Sequence, residues 1–260
     1  MESKQAYQPK ARVHGYDAIR GFSIISMIGF HLCYDLSSIY GTRLDWFASP
    51  LQDVWRASIS WVFLLLAGIM ATYSRSNLKR GCKYLAVAAA IWAATTVAAV
   101  DTPISFGIIY CMGVSTLAAA AIQQQVRRGI SASASIALAI ALLILFLLCL
   151  GIPTGTFGLK AFGGPYLRIP SAPYESGLLS WLGFPGPDFA SGDYYTPLPF
   201  TLLYLAGFAL GGPIRSNARI TDALRRLRCK PLEFVGRHAL GLYVVHQPLL
   251  LAALMLVMGR

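Results

Sequence analysis

One apolar stretch, "YDAIRGFSIISMIGFHLCYDL" at residues 16–36, carries four ionisable side chains: Asp17, Arg20, His31 and Asp35. Each is costly in hydrocarbon unless it pairs or faces a wet cavity. At 100° per residue all four fall within about 60° of arc on one helix face. Asp17 and Arg20 stand i,i+3 and His31 and Asp35 i,i+4, the spacings at which helical side chains meet. An imidazole oriented by a carboxylate is the arrangement of a general base that takes a proton from an attacking hydroxyl or amine. The rival reading of the same stripe is a proton relay in a small-molecule or proton-coupled transporter. Near the other end, "GRHALGLYVVHQPLL" holds a second histidine, His246, with Tyr243 near the same face. His246 is read either as a second catalytic group or as glue between helices. Pro248 kinks this segment and opens space around the ring.

These groups must be held by membrane spans. Of the 260 residues, 56% are hydrophobic and only 13% charged, against roughly 25% charged in soluble domains. The mean hydropathy is +0.57. Seven runs are long and apolar enough to be read as spans, at 18–40, 57–74, 84–100, 104–124, 132–152, 196–213 and 235–258. The predicted fold is therefore an all-α membrane protein, a bundle of about seven transmembrane helices forming one domain over residues 1–260. The first span is read as uncleaved. Counting 1.5 Å per residue from Gly21 puts His31 about 15 Å deep, the middle of a core about 30 Å thick. His246, counted from Arg237, reaches about 13.5 Å.

The excess of 22 Lys and Arg over 11 Asp and Glu is read as topology rather than as a nucleic-acid surface. With the N-terminus cytoplasmic, 17 of the 22 basic residues fall inside and 5 outside; the positive-inside rule thus gives a cytoplasmic N-terminus and an extracytoplasmic C-terminus. The one long connection, 153–195, is then extracytoplasmic. Its aromatics argue against disorder; it lines a substrate mouth or lies as an aromatic belt at the interface. Five cysteines without a CxxC spacing exclude a disulfide or zinc framework, and no metal is expected. Asp193, just before "YYTPLPF", holds an acceptor group or caps the sixth span. Gly207 and Gly211 form a GxxxG packing motif.

In order along the chain, "YDAIRGFSIISMIGFHLCYDL", "WVFLLLAGIMATYSR", "ISFGIIYCMGVS", "DYYTPLPF" and "GRHALGLYVVHQPLL" resemble the small bacterial membrane proteins related to the catalytic domain of heparan-alpha-glucosaminide N-acetyltransferase. The resemblance runs from about residue 12 to 250. It implies a multi-pass acyltransferase of the bacterial inner (plasma) membrane. Acetyl-CoA would be the co-substrate on the cytoplasmic side, and a sugar or glycolipid the acceptor on the other. It implies His31 as the catalytic residue. Where relatives read FGILH, this chain has "FGIIY", with Tyr110 in the histidine position. Arg12, Arg20, Arg75, Arg215 and Arg237 stand at cytoplasmic span ends, where a phosphate-bearing donor needs cations; Asp17 is paired with Arg20. On the acceptor side the candidates are Asp193, Tyr243 and Tyr110. The acceptor, the acyl chain, self-association and the choice between direct transfer and an acyl-histidine stay open.

Overall fold

The computed structural model describes residues 13–99, 101–127 and 130–259. Among them the chain forms α1 (His14–Tyr34), which runs on as a π-helical turn (Asp35–Ile39), then α2 (Leu51–Ala71), α3 (Asn77–Ala98), α4 (Ile108–Arg127), α5 (Ala132–Cys149), α6 (Pro197–Ser216), α7 (Ala218–Arg226), α8 (Lys230–Arg237) and α9 (Ala239–Met258). The starts follow from local chemistry. Ser76, Ser131 and Asn217 each accept a hydrogen bond from a first-turn N–H, of Lys79, Ala134 and Ile220, which satisfies a donor the helix cannot.

The protein is an all-α membrane protein. Among the described residues six helical segments are long and apolar enough to cross a bilayer: His14–Ile39, Leu51–Ala71, Asn77–Ala98, Ala132–Thr154, Pro197–Ser216 and Ala239–Met258. Val97 and Leu256 are 86% and 87% exposed, which suits side chains solvated by lipid tails rather than by water. The span expected at 104–124 is shorter in its apolar part, Ile108–Gln123. Its helix starts at Ile108 because the preceding backbone is drawn into hydrogen bonds with residues 191–195, including Tyr195 N–H to Phe106 carbonyl at 2.9 Å. The run expected to be continuous over 235–258 breaks at His238, whose Nδ1–H donates to the Phe234 carbonyl at 2.9 Å and closes α8. Arg237 therefore ends α8, and His246 sits on a separate helix.

The contacts sort the chain into two compact units, residues Met1–Phe47 with Asn217–Arg260, and residues Ala48–Ser216. In the first, α1 packs along α8, with further contacts to α7 and α9. The α1–α8 crossing is backbone to backbone: a Cβ on Gly236 would run into the Asp17 carbonyl. In the second, α6 is central, packing on α2, α4 and α5, and α3 packs on α4. Gly207 of the GxxxG motif meets α2 so closely that a Cβ would strike the Leu65 carbonyl. Tyr204 and Thr116 are fully buried and joined by a 2.9 Å hydrogen bond between hydroxyls, so α4 and α6 are held by polar groups as well as by packing.

The long connection is ordered. It contains the two-stranded antiparallel pair β1 (Thr156–Gly158) and β2 (Tyr166–Arg168). Tyr174 donates to the Ile152 carbonyl at 2.6 Å, and Tyr194 to the Ser180 carbonyl at 2.7 Å. The five cysteines are free.

Candidate active site

The first unit brings the two span histidines together. His31 on α1 and His246 on α9 have ring centroids 4.9 Å apart at 62°, edge to face. Phe30 meets His31 edge to face, at 6.0 Å and 86°. Tyr243 stands 5.5 Å from His246, ring to ring. The Nδ1 of His246 is 2.6 Å from the backbone carbonyl of Tyr243. A carbonyl only accepts, so Nδ1 carries the proton and Nε2 of the neutral ring is a bare lone pair. That Nε2 is buried and has no hydrogen-bond partner. Pro248, inside the same helix, denies a donor to the carbonyl four residues back and loosens the turn.

Asp35 is fully buried. The i,i+4 spacing pointed it at His31; the partner recorded here is Gln247 of α9. Its Nε2 donates to both carboxylate oxygens, at 2.9 and 3.0 Å. Asp35 N–H still bonds back to the His31 carbonyl, so the two residues keep their i,i+4 register. From Asp35 onward the α-helix becomes a π-helix, with Tyr40 N–H reaching back five residues to the Asp35 carbonyl at 3.0 Å, and the regular helical wheel no longer applies beyond it. Such turns occur frequently at functional sites. Gln247 was missed in the sequence because a neutral carboxamide draws no notice in a polar span end. Its position beside His246 was the only available signal.

At the other end of α1, Asp17 is buried and pairs with Arg20 at 3.6 Å. Arg20 also donates to the Gly236 carbonyl at 3.2 Å, tying α1 to α8. Arg237 is exposed. Arg12 lies outside the described residues. A second tie was not foreseen. Glu233 of α8, 3% exposed, binds His14 at 2.8 Å and Arg228 at 2.9 Å. Burial works to raise its carboxyl, but the bonds from Arg228 and His14 prevail and hold it below the ordinary carboxylate range.

The second unit holds the remaining candidates. Asp193 Oδ2 accepts from Ile108 N–H at 3.0 Å. It thus caps α4; the cap was expected on the helix that follows it in sequence. Tyr110, in the first turn of α4, packs its ring on Phe106 at 5.1 Å, tilted by 54°. Phe106 in turn lies parallel to Phe189 at 5.8 Å and 17°. Burial, with the nearby Tyr174 phenol, pushes Tyr194 up to about 12, so it stays a neutral donor to Ser180 across physiological pH. Arg75 is exposed, and Arg215 lies over the Tyr73 ring at 5.6 Å. Among the described residues, no group of three or more His, Cys, Asp or Glu is placed to hold a metal ion.

No curated protein and no solved structure matches the chain. Residues 12–248 match the family described as heparan-alpha-glucosaminide N-acetyltransferase, catalytic. The match takes in residues of both units, with His31, Asp35, His246 and Gln247 among them. The chain therefore belongs to the heparan-alpha-glucosaminide N-acetyltransferase catalytic family, a family of membrane acyltransferases.

Proposed function

We propose that this multi-pass membrane acyltransferase moves an acetyl group from acetyl-CoA, taken up at the cytoplasmic face, to a sugar or glycolipid acceptor outside the bacterial plasma membrane. The observation that carries the reading is the His31–His246 pair. Two imidazole rings 4.9 Å apart stand on two spanning helices, and the Nε2 of one is left without a hydrogen-bond partner.

The chemistry assigned to the pair is as follows. The acceptor's oxygen or nitrogen attacks the thioester carbonyl, and its proton passes to an imidazole nitrogen of His31. The C–S bond then breaks, the acyl–acceptor bond is complete, and the proton leaves with the CoA thiol. His246, its tautomer fixed by the Tyr243 carbonyl, accepts from the opposite nitrogen of His31 and steadies the imidazolium. An acyl group parked on His31 before transfer uses the same groups in two steps. A low-dielectric, water-poor setting strengthens every charge interaction at the carbonyl. Arg20, Arg75, Arg237 and Arg12 are assigned to the donor's phosphates, with Asp17 orienting Arg20. Tyr243, Tyr110 and Asp193 are assigned to the acceptor side.

The test is release of free thiol from acetyl-CoA by purified protein in proteoliposomes. Thiol release that rises with an added amino sugar supports the reading. Uptake of a solute with no thiol release identifies a transporter instead and overturns it.

A further inference from the structure

The contact between Asp35 and Gln247 is asymmetric, and the asymmetry has a direction. A buried carboxylate accepts only, so the Gln247 carboxamide must turn its nitrogen toward it, as the 2.9 and 3.0 Å distances record. That locks the amide plane and leaves Oε1 on the far side. Oε1 is buried and has no donor, and neither has Nε2 of the preceding residue, His246. Two adjacent residues of α9 thus each hold an unanswered acceptor, and buried acceptors are nearly always answered. Both atoms are covered, so a donor arrives only as neighbouring side chains give way. His31, beside His246, is partly exposed and meets Phe30 and His246 ring edge to face.

We propose that Gln247 recognises the acyl acceptor: Oε1 receives an N–H or O–H of the acceptor's nucleophilic end, and Asp35 is the positioning residue that keeps the carboxamide from turning over. This rests on the acyl-transfer reading and adds to it the group that selects a donor-bearing acceptor. It also gives Asp35 a duty different from orienting His31.

Asp35→Asn separates the possibilities. Two carboxamides still pair, by weaker bonds than a carboxamide and a carboxylate, so the tie between the π-turn and α9 is kept. The new Nδ2–H, however, needs an acceptor, and Gln247 turns over to supply Oε1. The recognition oxygen is consumed while the fold is kept. Gln247→Met removes the oxygen outright. The experiment measures acetylation of glucosamine, as probe acceptor, by the full chain in nanodiscs with saturating acetyl-CoA. Both single variants are expected to raise KM for glucosamine about tenfold, with a much smaller change in kcat and the same pH profile. The double variant is expected to be no worse than either single one.

Wild-type kinetics in Asp35→Asn overturn the proposal in favour of a structural tie. A shifted pH profile in that variant overturns it in favour of Asp35 acting on a histidine. Thiol release by the wild type with no acetylation of glucosamine also overturns it, since this acceptor carries the donors that Oε1 is argued to receive. No thiol release at all overturns the acyl-transfer reading itself.

Discussion

At the scale of single residues, the site turns on which nitrogen holds a proton. His246 is set by the carbonyl of Tyr243 at 2.6 Å, and its lone pair faces inward. His246→Asn keeps a donor for that carbonyl but loses the Nε2 lone pair, so acyl transfer should fall by about 10²–10⁴-fold, the usual worth of a positioned acid–base group. The thermal midpoint should stay close to that of the wild type. A rate within a few-fold of wild type, read from labelled product, would contradict the relay. His31 and His246 were legible because charge-capable groups stand out in an oily run. Asp35 was legible as a candidate, but its contact with Gln247 was not, because Gln247 lies 212 positions away and no periodicity count reaches that far.

At the scale of elements, α1 and α8 depend on a crossing without side chains and on a buried ion cluster. Gly236→Val pushes a branched side chain against the Asp17 carbonyl and should cost about 1–3 kcal/mol, the range for overpacking a close contact, read by thermal unfolding in detergent. The Glu233 cluster gives a pH signature. Its carboxyl titrates lower in the folded protein than its ordinary value of 4.5. The contribution is therefore present in full above that value and lost as pH falls through the lower, folded one. The difference in thermal midpoint between wild type and Glu233→Gln should be largest near neutrality and shrink under acid; a pH-independent difference would contradict the ionic tie. The long helices themselves were readable from apolar length. The break at His238 was not, because the apolar run continues through it and the stop is made by a ring bonding its own helix end. Nor was the α4 cap by Asp193, a contact 85 positions away.

At the scale of the whole molecule, composition alone identified a membrane protein, and the order of five short segments carried the family. The orientation rests on the 17-to-5 distribution of basic residues. It predicts that a reporter active only outside the cell works when fused after Gly259 and fails when fused after Arg127; the reverse pattern would invert the proposed direction of transfer. What joins the three scales is the proposed passage of an acyl group from one face of the membrane to the other through the histidine pair. The most direct measurement supplies acetyl-labelled CoA to the cytoplasmic face of sealed membrane vesicles and follows the label. The account predicts labelled acceptor on the opposite face with wild-type protein, and none above background with His31→Ala of equal abundance. Equal labelling by His31→Ala, or label that never leaves the CoA side with wild-type protein, would contradict it.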